Sequence, residues 1–115
     1  MFSFSTTQRY FLYRGATDMR KGYNGLCGLV RQHLSQDVMS GDVFIFLNRR
    51  RDRIKLLMWD ATGFAVWYKV LERGTFELPA GEDKQIELDW TALVLLLDGI
   101  ERQSVKRRKR YGRAA

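Results

Sequence analysis

At 115 residues, 45% of them apolar, the chain is long enough for one modest core and too apolar to be disordered throughout. Its formal net charge is +7, but residues 102–115 hold seven bases and no acid, so residues 1–101 carry 13 bases against 13 acids. A uniformly basic protein is thereby excluded; the reading is a single α+β domain over 1–101 followed by a disordered, flexible basic tail over 102–115. A lone cysteine, Cys27, rules out an intramolecular disulfide and fits a reducing compartment. The opening MFSFSTTQRY has no basic segment followed by an apolar one, so no secretory signal is expected. The longest aliphatic run, Leu93–Leu97, is far short of the roughly 20 residues a spanning helix needs. A cytoplasmic protein without membrane contact is the expectation.

In chain order, Arg9–Arg14 alternates well enough for a short strand that Gly15 ends. A helix follows, with Thr17 and Asp18 as cap candidates because a short side-chain oxygen can accept from the orphan amides of a first turn. Met19, Tyr23, Leu26, Leu29, Val30 and Leu34 recur at three- and four-residue spacing, with Cys27 beside them, which makes one buried stripe. Gly22, Gly25 and Gly28 weaken this helix by about 1 kcal/mol each relative to Ala, which suggests close packing against the sheet.

Residues 42–70 organise the chain. Three runs rich in Val, Ile, Phe, Trp and Tyr predict a central antiparallel meander over Val43–Leu47, Arg53–Trp59 and Phe64–Val70. Asn48–Asp52 is a charged break, and Asp60-Ala61-Thr62-Gly63 suits a type I turn. Alternation puts Val43, Ile45 and Leu47, Ile54, Leu56 and Met58, and Phe64, Val66, Tyr68 and Val70 on one face, packed on the helices. The other face carries Phe44, Phe46, Arg53, Lys55, Leu57, Trp59, Trp67 and Lys69. It is too apolar for a plain solvent face and is expected to be covered by the chain ends or a partner. Burying its cations unpaired would cost on the order of several kcal/mol each. Beyond it, Gly74 turns the chain, Phe76–Leu78 suits a short edge strand and Gln85–Leu88 an extended piece. Asp89 caps a shorter helix over Trp90–Asp98 that Gly99 ends. The broad apolar surface of that helix, Trp90, Leu93, Val94, Leu96, Leu97 and Ile100, predicts good burial.

TDMRKGYNGL at 17–26, GDVFIFLNRRRDRIKLLMWD at 41–60, GFAVWYKVLERGTFELP at 63–79 and LDWTALVLLLDGIE at 88–101 resemble the TnpB or Orf2 accessory proteins of bacterial insertion sequences, family sixty-six. The resemblance covers about residues 9–101. It implies a non-catalytic role in transposition beside a separate, large, element-encoded transposase, with no cofactor; it carries over no site residue. The turn in such relatives tends to read N-R-R-G-D, and Arg51 stands where that Gly would be. If the position needs a positive φ, Arg costs roughly 1–2 kcal/mol there.

The candidate nucleic-acid contacts are basic. The tail offers Arg102, Lys106, Arg107, Arg108, Lys109, Arg110 and Arg113. Lysines and arginines neutralise phosphates and release counterions; if all seven touched phosphate, the log–log salt slope would approach roughly −6. The alternative is a merely solubilising end. A second patch is Arg49, Arg50, Arg51, Arg53 and Lys55 on a hairpin tip, with Asp52 offsetting part of its field; the alternative is a solvated turn that guards against edge aggregation. Arg20 and Lys21 at the entry to the first helix add a third. Trp59, Trp67 and Trp90 could stack on bases, although aromatics at such positions are more often core. A nuclease would need Asp18, Asp52 and Asp60 as a metal-binding set, yet each reads as a cap or turn residue. His33 reads as exposed or capping, and Cys27 as a small core residue. The expected function is therefore a DNA-binding accessory protein of transposition, the alternative a protein-only adaptor that docks the transposase through an apolar sheet face.

Overall fold

Val43–Leu47, VFIFL, has no polar side chain, so as a strand it shows apolar groups to both sides and must be covered on both. In the computed structural model, which describes residues 4–99, it is the middle strand of five and buried throughout. The elements are β1 (Tyr10–Ala16), α1 (Tyr23–Leu29) running into a π-helical turn (Val30–Leu34), β2 (Val43–Leu47), β3 (Arg53–Trp59), β4 (Phe64–Val70), β5 (Gln85–Leu88) and α2 (Trp90–Asp98). The sheet order is β4-β3-β2-β1-β5. β1 and β2 are parallel, joined through α1, and every other pairing is antiparallel. This is the expected α+β architecture, and the meander strands fall at their predicted bounds. The meander makes up one side of the sheet rather than its centre, because β1 inserts between β2 and β5.

Each face has its own helix. Leu12, Ile45 and Leu56 pack with Phe76 and with Leu93 and Leu96 of α2. Phe11, Phe44, Phe46 and Leu57 pack with Leu26, Cys27, Val30 and Leu34 from α1 and its π turn. The second apolar face is thus covered by the first helix. Register corrects one expected set of neighbours. Met58 pairs with Ala65, Leu56 with Trp67 and Ile54 with Lys69, so Ala65, Trp67 and Lys69 lie on the α2 side. Phe64, Val66, Tyr68 and Val70 lie on the α1 side, one residue out of phase with the expectation, and the last three are exposed.

The helix ends follow local chemistry. α1 starts later than expected, at Gly22, with no side-chain cap. Thr17 instead donates its amide to Leu47 O, and Asp18 accepts from the Arg20 amide. A Cβ on Gly22 or Gly28 would meet nothing within 4 Å, and one on Gly25 only the Lys21 side chain, so close packing does not account for these glycines. α2 behaves as its sequence predicts at its ends: Asp89 accepts from the Ala92 amide at 2.8 Å, and Gly99 takes φ +70°. Lys69 Nζ donates to Leu97 O at 2.8 Å, a cation on the carbonyl end of the helix. Burial of α2 is narrower than expected, since Leu93 and Leu96 are buried but Val94 and Leu95 are exposed; Ile100 lies outside the described residues. The 60–63 turn is not type I. Ala61 stands at φ +82°, as the first central residue of a mirror-image hairpin turn does, and Asp60 Oδ1 accepts from the Thr62 and Gly63 amides. Phe76–Leu78 forms no strand; Phe76 is a fully buried plug in a loop.

Gly28→Ala is expected to stabilise the protein by about 0.5–1 kcal/mol, since it removes backbone entropy from the unfolded chain and fills open space. A urea midpoint that falls would show that the position is packed after all. Phe76→Ala should cost about 3–5 kcal/mol in the same measurement.

Candidate nucleic-acid interface

The β2–β3 connection is held from inside by Asn48. Its Oδ1 accepts from the amides of Asp52 (3.1 Å) and Arg53 (3.0 Å), and its Nδ2 donates to Asp52 Oδ1 at 2.7 Å. The Arg51 amide closes the turn on Asn48 O at 3.0 Å, with Arg51 at φ +59°, so the positive φ considered above is present. The tip is also anchored from outside. Phe76 N donates to Arg51 O at 2.7 Å and Leu71 N to Asp52 O at 2.8 Å. Both of those residues pack into the α2-side core. A fixed backbone therefore carries Arg49, Arg50 and Arg51, all exposed. The ion pairs among the described residues are Arg9–Asp42 (2.8 Å) and Arg20–Asp18 (2.7 Å), and neither involves the tip.

The other expected bases divide. Arg53 is exposed and donates to the Tyr68 hydroxyl at 3.1 Å. Lys55 is half-buried; its ammonium donates to Met19 O and Lys21 O, both at 2.8 Å, and lies 4.9 Å from the Tyr68 ring centroid. It ties the entry of α1 to the sheet. Arg20 folds back on Asp18, while Lys21 is exposed. Neither lies in the first turn of α1, which begins at Tyr23. Arg102, Lys106, Arg107, Arg108, Lys109, Arg110 and Arg113 lie outside the described residues.

The structure adds Arg14, which the sequence reading took only as a strand end. Its Nε donates to Asp83 O and its Nη1 to Pro79 O, each at 2.7 Å. A Cβ on Gly81 would come within 2.7 Å of its Nη2, so the 79–83 loop is shaped around this guanidinium. Arg14 then lines a cleft of about 220 Å³ with Arg49, Arg51, Asn48, Gly15 and Ala16. A second hollow, about 280 Å³, adjoins it across Ala16 and Arg49 and reaches Thr17 and Asp18. The signal in the sequence was a base followed by glycine at a strand end, where β1 shifts register between Tyr13 and Ala16.

The acids and aromatics have local roles. Asp18 is held down to about 2, first by its side-chain bond to Arg20 and then by the Arg20 amide. Asp60 is lowered by its bonds to the Thr62 amide and hydroxyl. Asp52 is engaged by Asn48. Among the described residues no group of three or more His, Cys, Asp or Glu side chains could hold a metal ion. Trp67 and Trp90 pack about Phe4 with centroids at 6.2 and 6.3 Å, and Trp59 meets Phe64 edge-on at 5.0 Å. All three tryptophans are half-buried wall residues rather than free stacking platforms. His33 stacks on Tyr13 at 5.1 Å, and burial pushes the Cys27 thiol up. No described helix is long and apolar enough to cross a membrane.

The family model described as IS66 Orf2-like protein matches residues 8–107. Two proteins of Sinorhizobium fredii are similar. The uncharacterized protein y4jC is 36% identical over 91 residues, 79% of this chain and 78% of the relative. The uncharacterized protein y4hO is 32% identical over 93 residues, 81% of each. No solved structure gives a significant match.

The Asp18 carboxyl should titrate at about 2 by NMR, and Arg20→Ala should return it towards the ordinary carboxylate value of about 3.9. Because the folded-state value is depressed, any stability this contact adds is present above the unfolded value and is lost as pH falls towards 2. An unmoved midpoint in the variant would remove Arg20 as the cause.

Proposed function

The chain belongs to the IS66 Orf2-like protein family, and from that premise we propose that it is a non-catalytic accessory protein of insertion-sequence transposition that contacts DNA through the arginines of its β2–β3 tip. The observation that carries this reading is three consecutive exposed arginines on a tip fixed by Asn48 and anchored to the core, none in an ion pair. Exposed surface cations are ordinarily worth little to stability. On a rigid projection they neutralise phosphates at little ordering cost and release condensed counterions. Arg53 extends the patch along β3, and the basic residues at 106–113 add reach by their charge alone. The contact is with the backbone and is therefore independent of sequence. Lys55 and Arg20 hold the segment that enters α1 rather than the contact itself, since both already have partners there.

A second reading, docking of the element's transposase, is favoured by one observation. β4 is a sheet edge, and Val66, Tyr68 and Val70 on it are exposed in a row. An unpaired apolar edge of this length is a site where another chain adds on.

Fluorescence anisotropy with duplex DNA over a salt series separates these contributions. Arg49→Ala with Arg50→Ala should weaken binding and make the log–log salt slope shallower by about 2. Replacing Lys106, Arg107, Arg108, Lys109 and Arg110 with Gln in the full chain should make it shallower by about 4. Slopes unchanged in both variants would end the DNA reading. Pull-down with the transposase and end DNA, each omitted in turn, tests the adaptor: Val66→Asn should abolish a DNA-independent complex and leave anisotropy untouched.

A further inference from the structure

The cleft between the end of β1 and the β2–β3 tip, about 220 Å³, is lined by three arginines, Arg14, Arg49 and Arg51, and has no acidic residue among its lining. Two features make this arrangement costly by itself. Arg14 is held by neutral carbonyls, Pro79 O and Asp83 O, so its position is fixed while its charge is not compensated. Arg51 sits at φ +59°, a conformation that side chains other than glycine adopt at a cost, and its backbone is held there by the bonds to Asn48 and Phe76. Of the acids around it, Asp52 is engaged by Asn48, and Asp18 in the adjoining hollow is paired with Arg20. Repulsion between like charges gathered at one cleft is relieved by an anion.

We propose that this cleft binds a phosphate dianion, an inorganic phosphate or the terminal phosphate of a nucleic-acid strand, in preference to an internal phosphodiester. The guanidinium fork matches phosphate oxygens, and the forks of Arg49 and Arg51, with Arg14 adding its charge, suit a terminal phosphate of charge near −2 better than a singly charged diester. The volume equals about seven waters at about 30 Å³ each, room for one phosphate with part of its hydration and not for a base pair. Thr17, with a buried hydroxyl that has no partner in the structure, lines the adjoining hollow rather than the cleft itself. This inference rests on the tip being the contact surface proposed above, and it adds the group the tip selects.

The full chain, labelled with nitrogen-15, is titrated with inorganic phosphate, with dimethyl phosphate and with chloride at matched ionic strength. Saturable shifts of the Nε–H signals of Arg49 and Arg51 with phosphate, at least fivefold tighter than with dimethyl phosphate and absent with chloride, are the expected result. Arg51→Gly should weaken phosphate binding at least tenfold while raising the urea midpoint, since it removes the cation and the strain together. Arg49→Gln should weaken binding without that rise. Equal response to all three salts, or full phosphate affinity in Arg51→Gly, overturns the proposal. A duplex with and without a 5′-phosphate identifies the source: tighter binding of the phosphorylated end, lost in Arg51→Gly, assigns a strand end. Phosphate binding by a protein that ignores DNA would keep this site and remove the DNA reading instead. DNA binding that persists in a protein with no phosphate response would do the reverse.

Discussion

A strand with no polar side chain cannot lie on a surface. Fully burying a side chain such as those of β2 contributes about 1.5–3 kcal/mol, and each face of VFIFL supplies two or three of them. The sheet is therefore obliged to carry a layer on each side, and among the described residues α1 with its π turn and α2 provide them. The parallel β1–α1–β2 crossover places one helix on one face, and the turn after β5 returns α2 to the other. Cations on this sheet then have to adapt. Lys55 and Lys69 face opposite helices, and each runs its ammonium to backbone carbonyls at an element end. Their aliphatic stems stay against the sheet while the charge finds acceptors, as long basic side chains commonly do.

The same constraint explains why the β2–β3 tip is stiff. Both strands are pinned by burial up to Leu47 and from Ile54 onward, so the connection has little freedom left to lose. Asn48 supplies the internal bonds that a turn of this length needs, and the 71–76 segment closes over it on its way to burying Phe76. The loop is thus part of the core's edge rather than an appendage. The price of that fixity is a left-handed Arg51.

Much of the fold was legible in the sequence because its local signals were strong and agreed with one another. The meander strands have β-branched and aromatic runs with charged or turn residues between them, and Asp89 and Gly99 bracket α2 as their chemistry dictates. The phase of β4 was not legible. Its two faces read Phe, Val, Tyr, Val and Ala, Trp, Lys, and the first looks like the core. Phase is set instead by the turn, which pairs Trp59 with Phe64 and so commits Trp67 and Lys69 to the α2 side. Lys69 is tolerated there because the end of α2 offers it a carbonyl, a tertiary fact that no local pattern encodes. The start of α1 failed for a similar reason: Thr17 and Asp18 have the chemistry of caps, but the Thr17 amide is already bonded to β2. Of the candidate site, the tip arginines were readable as a run of charge. Arg14 was not, since it joins them only through the parallel pairing of β1 with β2 and the wrap of the 79–83 loop.

Basic residues become informative once those with work inside the fold are set apart. Arg9 pairs with Asp42, Arg20 with Asp18, Lys55 holds the α1 entry and Lys69 the α2 end. Each would be present in a protein that met no polyanion at all. Arg49 and Arg50 have no such internal role among the described residues, and Arg51 is held in a backbone conformation that glycine would occupy with less strain. A turn that served only to connect two strands would favour glycine at that position. Arginine adds nothing to the turn's geometry that glycine lacks; what it adds is a third exposed arginine in the run Arg49–Arg51. The departure from the simplest turn chemistry and the accumulation of unneutralised charge thus coincide at one place, and a function that uses anions accounts for both.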